Sequence, residues 1–181
     1  TDLSTTAAIL QTSEATLAKS YLNGSKSVAV EEMSEYYEHI SDVVSDYKKK
    51  LTPNSMGRCS DFGNPTQQSN TTIPVDCKTP EGCLFCQHHR VCADEQDIRK
   101  LASCRYCVFS CAQLSQSASH FENVFGDVLS RISSILDHIE NISEHHHELV
   151  HRVVAEVEND GHLDPFWKSK MEMLSILGII E

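Results

Sequence analysis

The chain has 181 residues, a net charge of −11, and 40% hydrophobic against 23% charged side chains. That is globular composition at the length of one domain or one plus an appendage, which excludes global disorder. The acidic balance disfavours a free-standing nucleic-acid binder, which needs a basic surface for phosphate.

No apolar run reaches the ~18 residues of a membrane-spanning helix. The opening TDLSTTAAILQ lacks the basic start and apolar core of a signal peptide. Charge is uneven. Residues 1–76 carry 6 basic and 10 acidic side chains, residues 77–113 carry 5 and 4, and residues 114–181 carry 4 and 12.

In chain order, Ile9, Leu10, Leu17, Tyr21 and Leu22 predict a helix over 4–22, stopped by Asn23-Gly24. Met33, Tyr37, Ile40, Val44, Tyr47 and Leu51 form a heptad seam and predict a second helix over 25–51. Pro53, Gly57, Gly63, Pro65 and Pro74 mark 52–76 as a linker. Residues 77–114 form a Cys-rich segment and a helix N-capped by Asp94.

Residues 115–181 follow with a long helix and a short one. Phe121, Phe125, Val128, Ile132, Ile135, Ile139, Ile142, His146, Leu149 and Val153 repeat the 4-3 spacing. They predict one coiled-coil-like helix over 118–158, serving as a bundle core or as the seam of a homodimer. Asn159-Asp160-Gly161 ends it, and a short helix starts at Asp164-Pro165. No long segment alternates as a β-strand does, so the expected class is all-α, a helical bundle.

Eight cysteines stand at 59, 77, 83, 86, 92, 104, 107 and 111. A secreted disulfide framework is one reading of an even count. The tight C-x2-C pair and the helical patterns around it favour an intracellular metal site. Cys77, Cys83, Cys86 and Cys92 offer four thiolates in sixteen residues, with His88 or His89 as an alternative fourth ligand. Zinc takes four such ligands in a tetrahedron, and all four positions are then filled by protein, so the expected ion is structural.

Cys104, Cys107 and Cys111 recur at i, i+3 and i+7 on one helix face and read as small core residues. Cys59 stands alone and carries no signal. His147 and His151 are one turn apart, a metal-binding spacing on a helix, though surface histidines are commoner than ligands. His146 falls on the seam, where its protonation would make packing pH-sensitive.

Three stretches carry a resemblance. GCLFCQHHRVCADEQDIRKLASCRYCV (82–108) resembles the Cys-rich region in the C-terminal part of large bacterial site-specific integrases, which are tyrosine recombinases. VENDGHLDPFWKSKMEML (157–174) resembles a Pro-Trp-containing segment near the end of the same proteins. TTAAILQTSEATLAKSYLNGS (5–25) is similar to the last motif of their catalytic domain, with Thr12 at a position where that family has His or Trp and Tyr21 nine residues later.

The resemblance implies that Tyr21 is the nucleophile that forms a phosphotyrosine with DNA. It implies that the phosphate-clamping Arg, His and Lys belong to motifs preceding this chain, so the chain alone does not cut DNA. It further implies a bacterial cytoplasmic protein. Its zinc-stapled module would contact other recombinase domains or subunits, with DNA as a partner of the intact protein. Arg90, Arg99, Lys100 and Arg105 leave a DNA-binding or regulatory adaptor module as the alternative.

Overall fold

In a computed structural model the protein is described for residue 34 and residues 40–67, 73–112 and 117–178. Tyr21, Thr12 and the predicted helix over 4–22 lie outside the described residues. The chain divides into two compact units, Thr1–Lys49 and Lys50–Glu181. In the first, residues 34 and 40–49 are helical, and the predicted seam residues Ile40, Val44 and Tyr47 are exposed.

The second unit runs β1 (Thr52–Asn54), β2 (Gly57–Cys59), α1 (Pro80–Leu84), β3 (His89–Arg90), α2 (Glu95–Ser110), α3 (Ala118–Glu140), α4 (Glu144–Asp160) and α5 (Pro165–Ile176). It is mostly helical, but the expectation of an all-α fold is corrected by an antiparallel sheet in the order β1-β2-β3. The segment expected to be a linker supplies the β1–β2 hairpin, with Thr52 opposite Cys59 and Asn54 opposite Gly57. Strands of two or three residues are too short to show period-two alternation. Gly57 sits at φ +143°, and a Cβ there would lie 2.7 Å from the Arg90 carbonyl oxygen, so glycine lets β3 approach.

The single long helix predicted over 118–158 is also corrected. It is two helices, broken at 141–143. Asn141 caps α3, and the Ser143 hydroxyl accepts the His146 N–H to start α4. Ile142 is therefore exposed in the turn, and His146 sits in the first turn of α4, where its Nδ1 lies 2.7 Å from Ser143 Oγ. His146 is not on a seam, and the pH-sensitive packing expected of it has no structural basis. Val128, Ile132 and Ile139 of α3 pack with Val150 and Val153 of α4 and with Ile98 and Leu101 of α2. Most of the apolar stripe thus packs against this chain's own helices, with Phe121, Phe125, Ile135 and Leu149 half-buried.

Local chemistry sets the other boundaries as read. Asp94 N-caps α2 by accepting the Asp97 N–H at 2.9 Å. Gly161 ends α4 in the left-handed conformation, φ 68°. Asp164 caps α5 and Pro165 opens it. Trp167 of α5 is buried, and its indole N–H donates to the Ser55 carbonyl in the β1–β2 turn at 3.0 Å. The hairpin is thereby tied to the helical core.

Helices α2 and α4 are also bridged by charge. Arg99 pairs with Glu156, and Arg152 with Glu95 at 2.9 Å. Hydrogen bonds from Arg99 and Arg152 hold Glu156 below the ordinary carboxylate value of 4.5, and those from Arg152 and Arg99 do the same for Glu95. A depressed folded pKa contributes stability above the unfolded value, and that contribution is lost as pH falls through the folded one. The pairs are at the surface, so the effect is small and salt-screened. Wild type should lose melting temperature between pH 5 and 3 more steeply than a Glu156→Gln variant. Identical slopes in low salt would count against the bridge.

Candidate metal centre

All eight cysteines are described, and all are free thiols. Four of them, Cys59, Cys77, Cys83 and Cys86, line one tight pocket together with His89 and Phe62. Its free volume is about 10 Å³, room for one water-sized body.

Each sulfur is placed by a separate device. Asp76 accepts the Lys78 and Thr79 N–H groups at 2.8 and 2.7 Å and folds the loop that carries Cys77. These bonds hold the Asp76 carboxyl below its ordinary range. Thr79 caps α1 and Pro80 opens it, which brings Cys83 inward on a single turn. Gly82 is close against this loop, and a Cβ there would lie 2.7 Å from the Asp76 backbone nitrogen. Gly82→Ala must therefore displace backbone. It should cost about 1–3 kcal/mol in urea unfolding, as overpacked sites do; an unchanged midpoint would contradict the packing.

Cys86 follows the helix, bridged to Gln67, and its sulfur accepts the His88 backbone N–H at 3.4 Å. Cys59 comes from β2, directly opposite His89 of β3. Successive strand residues face opposite sides. Arg58 therefore points to α2, and Cys59 points to the pocket.

The structure differs from the sequence reading at the fourth sulfur. Cys92 is on the Arg58 side. Its backbone N–H donates to Asp97 Oδ2 at 3.0 Å, and its sulfur lies in the electrostatic reach of Arg58. Cys59, which carried no signal, takes its place in the pocket. Of the alternative ligands, the His89 ring lines the pocket and the His88 ring does not. His89 Nε2 is 3.0 Å from the Met56 carbonyl oxygen, and burial pushes its pKa down, so the ring is neutral and already engaged. No sequence spacing could have found Cys59, because the hairpin that delivers it was read as a linker.

Burial pushes the Cys83 thiol up to about 11, with Cys77, Cys59 and Cys86 adding in the same direction. A cluster of thiols in an enclosed pocket resists ionisation unless a cation joins it. The remaining cysteines differ. Cys104 and Cys107 are buried on α2, and burial raises the Cys104 thiol well up and Cys107 to about 12. They fill core as small apolar residues do.

Opposite the pocket lies a buried ion cluster. Asp97 is fully buried and meets Arg58 Nε at 3.2 Å and Lys100 Nζ at 3.1 Å. Lys100 also donates to the Gly57 carbonyl at 2.9 Å. The cluster clamps β2 onto α2 and fixes the strand that carries Cys59. Among the described residues, no helix is long and apolar enough to cross a membrane. Comparison of the chain with protein-family models, curated proteins and solved structures found no match.

Proposed function

We propose that this chain is a zinc-stapled helical module of a tyrosine-type site-specific integrase, or of a protein derived from one, and that it serves protein contacts within the recombination complex. The carrying observation is that Cys59, Cys77, Cys83 and Cys86 line one small pocket, although no three of their sulfurs yet lie within 4.8 Å of one another. Four thiolates from one segment suit zinc, and a full protein ligand set makes the ion structural. Zinc bonds of ~2.3 Å in a tetrahedron imply sulfur–sulfur separations of about 3.8 Å, so binding would draw the four side chains inward. The His88 N–H is aimed at Cys86 Sγ, an outer hydrogen bond of the kind that orients a metal-binding sulfur. The integrase kinship rests on the 82–108 and 157–174 stretches, and on Tyr21 as its nucleophile.

The contact role is favoured over DNA grip by where the cations go. Arg58 pairs with Asp94 and Asp97, Lys100 with Asp97, Arg99 with Glu95 and Glu156, and Arg105 with Glu158. Cations already paired with carboxylates are poor phosphate ligands. Two measurements test the reading. Metal analysis after dialysis against a mild chelator should find one tightly held zinc per chain. Sedimentation with a recombinase catalytic domain should show association, while duplex DNA binding stays weak with little salt dependence. A metal-free chain, or steeply salt-dependent DNA binding without protein association, would overturn it.

A further inference from the structure

A second group of ligand atoms lies away from the cysteines, at the corner between α3 and α4. Glu140 is the last residue of α3, and the three-residue turn 141–143 leads into α4. His147 and His151 are one turn apart on α4, so both rings face the same side. The His147 Nδ1 is 2.8 Å and the His151 Nε2 is 3.0 Å from the same oxygen, Glu140 Oε1. The two ring centroids are 4.4 Å apart. All three ligand atoms lie within 4.8 Å of one another. Val150, between the two histidines in sequence, is buried and anchors this stretch of α4 to the core.

We propose that Glu140, His147 and His151 form a second metal site, taking a borderline divalent transition ion of the Zn²⁺, Ni²⁺ and Cu²⁺ class. Two imidazoles and one carboxylate are the donor set these ions prefer, whereas Mg²⁺ and Ca²⁺ want oxygen alone. Metal–nitrogen and metal–oxygen bonds of ~2.1 Å in a tetrahedron imply donor separations of about 3.4 Å. Each ring nitrogen needs to move away from Glu140 Oε1 by only about half an ångström to reach that separation. Each ring now presents to Glu140 the nitrogen that would bind. In a neutral imidazole the proton shifts to the other ring nitrogen, which faces solvent, so the ring can bind with no net proton loss. The His147 and His151 side chains are 54% and 64% exposed, which leaves the remaining coordination positions to water. The bound ion would tie the end of α3 to the first two turns of α4 and lock their corner.

His145 and His146 are the competing donors. The His146 Nδ1 is committed to Ser143 Oγ, and neither residue joins the group. The test is calorimetric titration of Ni²⁺ into the tag-free full chain, purified with zinc and then dialysed against a mild chelator that clears exposed sites, followed by NMR of the histidine rings. One saturable equivalent is expected, with Ni²⁺ broadening centred on His147 and His151. His147→Ala and His151→Ala should each weaken it by more than about tenfold, the lower bound set by losses of outer-shell partners alone. Glu140→Gln should also weaken it, and His145→Ala should leave it unchanged. His147 and His151 are exposed and Glu140 is half-buried at the end of α3, so the variants keep the fold, and circular dichroism checks this. No saturable binding, binding indifferent to His147→Ala, or binding lost equally in His145→Ala would overturn the site.

Discussion

Cys59→Ser should strip the metal from the protein, while Cys92→Ser should leave it bound. The two substitutions separate the pocket from the spacing, because Cys92 belongs to the closer sequence cluster and Cys59 to the structural one. A structural zinc contributes on the order of 10 kcal/mol of binding free energy. That is comparable with the whole stability of an ordinary domain, about 5–15 kcal/mol. The segment that depends on it is 52–92, whose own apolar burial is limited to residues such as Met56, Leu84 and Phe85. These join one buried cluster whose larger part, including Ile98, Leu101, Val128, Ile132, Val150 and Val153, comes from the helices.

Loss of metal is therefore expected to be uneven. Hydrogen exchange should show amides of 52–92 opening in the Cys59→Ser chain, while α2, α3 and α4 keep most of their protection. Zinc retained by Cys59→Ser and lost from Cys92→Ser would reverse the assignment. The Asp97 clamp gives a reason for the coupling of the two regions, since it holds β2 against α2 whether or not the sulfurs are bridged.

Asp97→Ala should cost about 3–5 kcal/mol, because it leaves Lys100 a buried charge without a carboxylate and Arg58 with Asp94 alone. Urea unfolding reads the loss directly. The cost arises from breaking the cluster rather than from any large net worth of the cluster. Replacing all three charges by apolar residues of similar volume should recover much of the loss, since buried ion clusters often exchange for hydrophobic packing at little cost. A single-variant loss below about 1 kcal/mol, in the range of surface pairs, would mean that water reaches the cluster. The same variant should also weaken metal retention, since Arg58 and Cys59 are neighbours on β2 and lose their alignment together.

Much of the helical scaffold was legible because its signals are local. Asp94, Asp164-Pro165 and Gly161 act through bonds to residues two to five positions away, and α2, α4 and α5 begin or end there. The break at Ser143 is equally local and was overridden by a longer pattern. The 4-3 repeat runs through Ile142 and His146 by composition, but a serine that accepts the His146 N–H starts a new helix instead. Periodicity records which residues are apolar; it does not record that the chain turns back and buries the stripe against itself.

The hairpin was lost for a different reason. Its strands are stabilised by contacts from afar, namely Arg58 to Asp97 across 39 residues and Trp167 to Ser55 across 112. Nothing in a three-residue strand announces such partners.

Spacing alone kept Cys77, Cys83 and Cys86 near one another, because the short helix Pro80–Leu84 and the turn beside it bring near neighbours onto one pocket. Only the tertiary structure placed Cys59 beside them and brought Glu140 to His147 and His151. Each joins residues from different elements, and their meeting depends on which faces are buried, a quantity set by packing over the whole unit.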